Sequence, residues 1–380
     1  MSYLVLSRKW RPDKFEDLVG QEHISKTLLN ALELNKVAHS YLFTGSRGVG
    51  KTTAARILAK ELNSADINKI ATGQNLDITE LDGASNRGID EIRDIKESVK
   101  YPPSNGRYRI FIIDEVHMLT EPAFNALLKT LEEPPTYVVF IMATTEPQKI
   151  PQTIISRSQR FDFRRMSKDD IVGHLVSITN KENVLVDNEV FEMISLKSDG
   201  SMRDALSYLD QLIVYSNDKI TKSDASYILG VVDYQEFIKI INFLIDHKIS
   251  DVISTVNNTI DSGISINNFI NSFINFFRDI LLCEIYPSKA GYSNDMQAIR
   301  NSLSDTIILY IINLFQELVG RLKTIDQQRI ALELEFLKII DYLKIEGILK
   351  RVNDRVDDDS VARNKKINIS VPDGGSLGSK

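Results

Sequence analysis

The segment with the clearest chemical potential is Gly45–Thr52, which reads GSRGVGKT. It matches GxxxxGK[ST], a pattern whose glycines let consecutive backbone N–H groups point at phosphate oxygens. In this pattern Lys51 reaches the β- and γ-phosphates, and the hydroxyl of Thr52 ligates Mg²⁺. A glycine-rich turn before an ordinary helix is the simpler alternative. We predict a site for a nucleoside triphosphate with Mg²⁺, made of Gly45, Ser46, Arg47, Gly48, Val49, Gly50, Lys51, Thr52 and Thr53.

Two adjacent acidic residues, Asp114 and Glu115, follow the apolar run RIFII at 109–113. In a parallel sheet the carboxyl ends of the strands line the ligand crevice, so this pair is expected beside the phosphate-binding segment. We predict that Asp114 holds Mg²⁺ through water and that Glu115 orients and polarises the attacking water. Two solvated acids at a strand end are the alternative, which the phosphate-binding segment upstream makes the weaker one.

Apolar runs and helical patterns alternate over about the first 165 residues. The predicted strands are 41–44, 77–81, 109–113, 137–143 and 160–163. The predicted helices are 52–62, 89–99 and 121–131. Strands that alternate with helices are typical of a parallel sheet covered on both faces. The phosphate-binding segment lies between the first strand and the first of these helices, which is the context its pattern requires.

From Ser167 onward, apolar residues recur at helical spacing and indicate amphipathic core helices. The stripes are Ile171, Leu175 and Ile178; Val190, Ile194 and Leu196; Leu206, Leu209 and Leu212; Phe269, Phe273, Phe277 and Ile280; and Ile311, Leu314, Phe315, Leu318 and Leu322. We predict a nucleotide-binding α/β domain at 1–166, a small helical domain at 167–230 and a larger helical domain at 231–352. The polar, Gly-rich residues 353–380 are predicted to be a disordered tail.

Composition narrows the class of protein. Of the 380 residues, 43% are apolar and 26% are charged, which is ordinary for a globular protein. The net charge of −6 means that any nucleic-acid contact must come from a local patch or an assembly. The single cysteine, Cys283, excludes an intramolecular disulfide and a cysteine zinc cluster. Because charge appears at Arg8 and no apolar run approaches a membrane span, we expect a cytoplasmic protein without membrane contact.

Six longer segments carry a family resemblance. They are RKWRPDKFEDLVGQEH at 8–23, HSYLFTGSRGVGKTTAARILAKELN at 39–63, ELDGASNRGIDEIRDI at 80–95, IIDEVHMLTEPAFNALLKTLEEPP at 112–135, ATTEPQKIPQTIISR at 143–157 and GSMRDALSYLDQ at 200–211. Together they resemble AAA+ ATPases, and in particular the gamma/tau family of bacterial clamp-loader subunits. The match covers about residues 2–212. It implies an α/β AAA+ P-loop NTPase fold, with a parallel sheet and a helical lid, followed by an all-α collar.

The resemblance also implies roles for single residues. Thr145, with Thr144 beside it, matches the threonine that senses the γ-phosphate. Arg157 matches the arginine of the family's SRC motif, which enters the ATP site of the neighbouring subunit; here the motif reads SRS. Arg203 matches the second sensor, which reaches from the lid to the phosphates of its own subunit. A surface charge for Arg157 and a structural ion pair for Arg203 are the alternatives.

Two further groups of residues follow from the same resemblance. The segment around Arg11, Pro12, Val19 and Gly20 resembles the stretch that encloses adenine, although its apolar members could equally belong to a core. The family's helices that line the central chamber and track DNA phosphates match the start of the predicted helix at 89–99. The residues assigned to DNA on this basis are Asn86, Arg87 and Arg93, with a solvated charged face as the alternative.

The sequence departs from the family in one respect that concerns metal. Family members usually carry four cysteines in a small zinc module between the first helix and the second strand. Residues 63–77 contain no cysteine and are too few for that module. We therefore predict that this chain binds no zinc. The chain also ends soon after the collar, so it resembles a gamma-length product without the further domains of long tau forms.

As a whole, the resemblance implies an ATPase motor subunit of the DNA polymerase III clamp loader, which loads the sliding clamp onto primed DNA. The implied partners are other gamma/tau copies, the delta and delta-prime subunits, the sliding clamp and primer-template DNA. A non-hydrolysing scaffold of the delta-prime type is one alternative, disfavoured because Lys51, Thr52 and Glu115 are all present. Another AAA+ DNA motor, such as a branch-migration translocase, would need a winged helix where long amphipathic helices are predicted.

Overall fold

A computed structural model describes residues 4–65, 70, 75–86, 88–216, 218–283 and 294–346. The chain divides into two compact units, with the boundary between Leu229 and Gly230. The four-part division expected from the sequence stays a prediction, and its tail at 353–380 lies outside the described residues.

A five-stranded sheet forms the centre of the first unit. Its strands are β1 (Ser40–Thr44), β2 (Ile78–Asp82), β3 (Arg109–Asp114), β4 (Val138–Thr144) and β5 (Gln159–Asp162). The order is β2-β3-β4-β1-β5, and every neighbouring pair is parallel. The predicted strands and the predicted parallel sheet are confirmed, and no strand end is shifted by more than one residue.

The sheet has an apolar layer on each face. Along β1, Tyr41 and Phe43 belong to one cluster of buried residues, and Leu42 belongs to the other. The same alternation occurs along β4, where Ile141 lies in the first cluster and Met142 in the second. Successive side chains of a strand point to opposite faces, so a central strand needs apolar side chains on both of them. This explains why β1 and β4 are buried at every position.

Ten α-helices of the first unit are described from end to end, besides three short 3₁₀ turns. They are α1 (Leu6–Lys9), α2 (Glu22–Glu33), α3 (Lys51–Asn63), α4 (Ile89–Ser98), α5 (Glu121–Glu132), α6 (Gln152–Ile155), α7 (Lys168–Glu182), α8 (Asn188–Ser198), α9 (Met202–Tyr215) and α10 (Lys222–Leu229). A short parallel pair that the sequence did not predict, β6 (Leu185–Val186) with β7 (Lys219–Ile220), connects the later helices. The predicted stripes are buried except at Leu196, which is 56% exposed on α8.

The second unit is helical wherever it is described, as predicted. Its helices are α11 (Tyr234–Ile245), α12 (Ile249–Asp261), α13 (Ile266–Leu282), α14 (Asn294–Ser302), α15 (Asp305–Arg321) and α16 over residues 328–346. Both predicted stripes, on α13 and α15, are buried in one apolar cluster. Among the described residues, no single helix meets the length and hydropathy of a membrane span; α14 and α15 do so only as a pair, bent by 101°.

The loop before β3 is anchored by a buried carboxylate. Asp77 is 3% exposed and accepts backbone N–H bonds from Ser104, Asn105 and Gly106 at 2.5–2.7 Å. Burial alone would raise the pKa of Asp77, but these three donors and the nearby Arg109 outweigh it and lower the pKa. The ionised carboxylate therefore stabilises the fold.

We expect Asp77→Asn to lower the free energy of unfolding at pH 7, because the amide nitrogen cannot accept these bonds. The contribution of Asp77 is complete above the unfolded-state pKa of about 3.9 and disappears as the pH falls through the lower folded-state pKa. Urea unfolding of both proteins at several pH values should show the difference shrinking in that window. A difference that does not change with pH, or an equal loss in the exposed control Asp326→Asn, would contradict this account.

The second unit depends on a cluster of phenylalanine rings around Phe273. This side chain is fully buried, with ring centroids at 4.9–5.7 Å from those of Phe237, Phe277, Phe315 and Phe336. We expect Phe273→Ala to lower the free energy of unfolding of this unit by about 3–5 kcal/mol, because it leaves a cavity. In the control Leu309→Ala, a half-exposed side chain is removed and the change should stay within about 0.5 kcal/mol. Chemical denaturation that gives both variants the same midpoint would contradict the prediction.

Candidate active site

The predicted phosphate-binding segment lies at the carboxyl end of β1 and leads into α3. Gly45 and Gly48 have φ values of 144° and 77°, which side chains rarely adopt. A Cβ atom on Gly45 would lie 2.6 Å from the carbonyl oxygen of Phe163, and one on Gly48 would lie 2.0 Å from Oγ of Ser201. Glycine is therefore required at both positions by backbone conformation and by space. The loop has the bare backbone that close approach of phosphate needs.

The side chain of Lys51 is held inside this loop. Its Nζ donates to the carbonyl oxygens of Gly45 and Ser46 at 2.8 and 2.7 Å, and the residue is 5% exposed. Burial lowers the pKa of Lys51, while the charges of Glu115 and Asp114 act in the opposite direction. The two hydrogen-bond acceptors are neutral, so the ammonium charge remains available to an anion. This arrangement fits a bound phosphate group.

The predicted metal ligands, Thr52 and Asp114, are in direct contact. Oγ1 of Thr52 donates to Oδ2 of Asp114 at 2.7 Å, across 62 positions of sequence. Oδ1 of Asp114 accepts the backbone N–H of Glu115 at 3.0 Å, which fixes the plane of the carboxylate. A hydroxyl and a carboxylate are hard oxygen donors of the kind that Mg²⁺ binds together with substrate phosphates. The residues present therefore fit a magnesium ion.

Glu115 and Thr145 are brought together as well. Oε2 of Glu115 accepts from the backbone N–H and the hydroxyl of Thr145 at 3.3 and 3.1 Å. Glu115 has a left-handed backbone with φ of 44°, which is uncommon for a residue with a side chain and is found mostly at turns and functional sites. The carboxylate predicted to orient water thus contacts the residue predicted to sense the γ-phosphate. Both roles stay predictions.

A histidine that sequence reasoning missed lies next to this pair. His117 Nδ1 is 3.1 Å from Oγ1 of Thr144 and 3.4 Å from Oε2 of Glu115, and its Nε2 is 3.4 Å from Oε1 of Glu146. Its side chain is 6% exposed. The available signal was its position three residues after Asp114, because a short turn after a strand returns that residue toward the strand end.

The start of α9 lies against the phosphate-binding loop. Ser201 caps α9 by accepting the N–H of Asp204, and the backbone N–H of Arg203 donates to the carbonyl of Gly48 at 3.4 Å. The Cβ of Arg203 would be 3.2 Å from a Cβ placed on Gly48. The structure therefore places the backbone of Arg203 against the loop, and its sensor role stays a prediction.

The segment predicted to enclose adenine is tied to the chain between β5 and α7. Gln21, fully buried and not foreseen from the sequence, donates from Nε2 to the carbonyl of Arg164 at 2.7 Å and accepts its N–H at 3.2 Å. A Cβ on Gly20 would lie 3.3 Å from Cγ of Met166. Val19 is partly buried and Arg11 is exposed.

Arg157 contacts residues outside this site. Its Nη2 donates to Oε1 of Glu132 at 2.7 Å, and its Nη1 donates to the carbonyl of Thr153 at 2.9 Å. The side chain is 34% exposed. In the SRS sequence, the serine that replaces the family's cysteine, Ser158, lies 2.8 Å from the hydroxyl of Ser40 on β1. Arg157 is thus separate from the residues that surround Lys51, and its action on another subunit stays a prediction.

The other residues predicted from the sequence belong to two groups, the rest of the glycine loop and the residues assigned to DNA. In the loop, Val49 is fully buried, Arg47 is exposed, and Ser46 and Thr53 are partly buried. Of the residues assigned to DNA, Asn86 donates to the carbonyl of Asp82, Arg93 pairs with Asp90 at 2.9 Å, and Arg87 lies outside the described residues. Their DNA contacts stay predictions.

The glycine loop after β1, the acidic pair at the end of β3 and the strand order β2-β3-β4-β1-β5 define a P-loop nucleotide-binding domain of the AAA+ class. Three family profiles match consecutive parts of the chain. "DNA polymerase III, delta subunit" matches residues 20–167, "DNA polymerase III clamp loader subunit, ATPase lid domain" matches 170–218, and "DNA polymerase III subunits gamma and tau domain III" matches 220–350.

Curated relatives agree with these profiles. DNA polymerase III subunit gamma of Buchnera aphidicola subsp. Baizongia pistaciae is 32% identical over 361 residues, which cover 90% of this chain and 98% of that protein. DNA polymerase III subunit tau of Bacillus subtilis is 46% identical over 303 residues, 77% of this chain and 54% of the relative. The tau subunit of Escherichia coli is 36% identical over 361 residues, which cover 90% of this chain and 56% of that protein. The chain belongs to the gamma/tau subunit family of bacterial DNA polymerase III.

Two further comparisons concern length and fold. The chain spans about half the length of the tau relatives from B. subtilis and E. coli. Among solved structures, the RuvB Holliday junction branch migration motor of Thermotoga maritima is 22% identical and has a TM-score of 0.47. The match covers 65% of this chain and 85% of the RuvB chain. That likeness is too low to bear on function.

We expect Gly48→Ala to destabilise the first unit and to weaken nucleotide binding. A left-handed backbone alone costs a non-glycine residue about 1–3 kcal/mol, and the new methyl group would collide with Ser201. The control is Gly173→Ala in the interior of α7, where a Cβ meets nothing within 4 Å and alanine should add about 0.5–1 kcal/mol of stability. Thermal unfolding and titration with a fluorescent ATP analogue measure both effects. Equal behaviour of the two variants would show that the contact with α9 is unimportant.

Proposed function

We propose that this chain is an ATP-hydrolysing motor subunit of a bacterial clamp loader, which uses ATP binding and hydrolysis to load the sliding clamp onto primed DNA. The observation that carries the proposal is the direct contact between Thr52 and Asp114, with Lys51 in the adjoining loop. Membership of the gamma/tau family supports the same function. The partners we propose are further copies of the chain, the delta and delta-prime subunits, the clamp and primer-template DNA.

Each residue of the site has a separate role in the proposed hydrolysis. Backbone N–H groups of the glycine loop bind the phosphates, and Lys51 places its charge among them. Thr52 would ligate Mg²⁺ and Asp114 would hold it through water, and the bound ion would neutralise charge that develops on the phosphate oxygens. Glu115 orients the attacking water and accepts its proton. Thr145, already hydrogen-bonded to that carboxylate, is placed to respond to the γ-phosphate.

We assign two arginines to the ATP site, one from the same chain and one from a neighbouring subunit. Arg203 approaches the loop from α9 of the same chain, where its backbone contacts Gly48. Arg157 acts in trans, and its position away from its own glycine loop, on a partly exposed surface with Glu132, supports that assignment. Hydrolysis then depends on assembly, because one charge at each site comes from a neighbour. The retained contacts of Lys51, Thr52 and Glu115 favour this role over a non-hydrolysing scaffold.

The proposal is tested by measuring ATP binding and phosphate release separately. Lys51→Ala should lose ATP binding, because the buried ammonium is the phosphate ligand. Glu115→Gln should bind ATP like the wild type and lose hydrolysis, because the amide cannot accept a proton. Both proteins are measured alone and together with delta, delta-prime, clamp and primed DNA, where the wild-type rate should rise strongly.

Arg157→Ala separates assembly-dependent chemistry from binding. ATP affinity should be retained, while the rate in the assembled complex should fall by on the order of 10³-fold, the usual worth of an arginine finger. Arg107→Ala, which removes another exposed arginine, is the matched control and should hydrolyse normally. Full hydrolysis by Arg157→Ala in the assembly, or an unstimulated but fully active wild-type monomer, would refute the trans-acting role.

A further inference from the structure

His117 is a buried ring in the active site to which the proposed function assigns no role. It lies in the short turn Val116–Met118 that follows the two acids after β3. A nitrogen that is hidden from water must find a hydrogen-bond partner within the protein. Both ring nitrogens of His117 face polar groups of the site: Nδ1 faces Glu115 and Thr144, and Nε2 faces Glu146.

His117 forms a hydrogen bond through Nδ1 with the hydroxyl of Thr144 at 3.1 Å, while Oε2 of Glu115 and Oε1 of Glu146 each lie 3.4 Å from a ring nitrogen. In its neutral form an imidazole offers one donor and one acceptor, whereas an ionised carboxylate only accepts. When Nε2 carries the proton, Nδ1 accepts from Thr144; when Nδ1 carries it, that proton points toward Thr144 and Glu115. In the neutral ring, the position of the proton therefore decides whether Nδ1 donates to these groups or accepts from them.

The loop after β4 is connected to Glu115 in a second way. Thr145 binds Oε2 of Glu115 directly, while Thr144 reaches the same oxygen through the His117 ring. The backbone N–H of Glu146 donates to Oγ1 of Thr144 at 3.0 Å, so the three loop residues form one network. Lys149 pairs with Glu146 at 2.9 Å and offsets its charge. A displacement of this loop must change the position of the Glu115 carboxylate.

We propose that His117 is a positioning residue that couples the loop Thr144–Glu146 to Glu115, so that the water-orienting carboxylate is held correctly only when that loop is in place. The proposal rests on the proposed ATPase function. His117 does not touch the reacting atoms in this scheme. Its contribution is orientation, and misplacement of a catalytic group by about 1 Å can reduce a rate by about 10²-fold.

The two nitrogens of His117 can be tested separately. His117→Asn keeps a donor near the place of Nδ1, His117→Gln keeps one near the place of Nε2, and His117→Ala keeps neither. If the contact with Glu115 and Thr144 matters, kcat should fall by about 10- to 100-fold in the alanine and glutamine variants and by only a few-fold in the asparagine variant. Titration with a fluorescent ATP analogue should give affinities within about two-fold of wild type, because no phosphate ligand is changed.

All proteins are the 380-residue chain, assembled with delta, delta-prime, clamp and primed DNA, and their melting temperatures are measured in parallel. His247→Asn in the second unit is the matched control for loss of an imidazole and should hydrolyse ATP normally. The proposal is overturned if His117→Ala keeps the wild-type kcat, if His117→Gln rescues better than His117→Asn, or if the losses in rate simply follow losses in ATP affinity or melting temperature.

The same assay separates this inference from the proposed function. If the assembled wild type does not hydrolyse ATP, or if Glu115→Gln hydrolyses it at the wild-type rate, the proposed function is wrong and the role of His117 falls with it. If wild type and Glu115→Gln behave as proposed and His117→Ala is unimpaired, the role of His117 alone is wrong.

Discussion

The hydrogen bond between Thr52 and Asp114 is the contact on which the candidate site depends. It joins the first turn of α3, the helix that follows β1, to the end of β3. β1 and β3 are not neighbours in the sheet, because β4 lies between them. The two groups meet because all five strands run in the same direction, so their carboxyl ends share one edge. Any change in register that moved β3 along β4 would carry Asp114 and Glu115 away from the glycine loop.

Close packing around the glycine loop links it to the helices that follow the sheet. Gly45 lies against the backbone of Phe163, and Gly48 lies against Ser201 at the start of α9. Gln21 fastens the segment before α2 to the backbone of Arg164. No side chain could be added at Gly45 or Gly48 without moving these neighbours. The glycine loop and the start of α9 are therefore in direct contact, since the backbone N–H of Arg203 also donates to the carbonyl of Gly48.

The sequence was sufficient for the sheet and for the phosphate loop, because both have local signals. A central strand covered on both faces has an apolar run at its centre, and β1 and β4 have such runs in YLF and VVFIMA. Contacts between side chains far apart in the chain leave no such signal. Gln21 meets Arg164 across 143 positions, and nothing in the local sequence of either residue marks the pair. His117 lay beside the predicted acids, yet its partners Thr144 and Glu146 belong to another strand end. The predicted stripe groups Leu196 with Val190 and Ile194, but Leu196 lies two residues after Ile194 and therefore on the other side of α8, where it is exposed.

Burial separates the cations of the proposed mechanism into two kinds. Lys51 is almost fully enclosed and held by the carbonyl groups of its own loop, so its position is fixed within one chain. Arg157 is one-third exposed and paired with Glu132, which is itself half exposed. Ion pairs at such positions contribute about 0–1 kcal/mol, so the guanidinium can leave Glu132 at little cost for a more strongly charged partner. A phosphate group is such a partner, because it offers a planar guanidinium two charged oxygens at once. A weakly held arginine is therefore what a subunit needs if it is to act on its neighbour when the two meet and remain paired when they are apart.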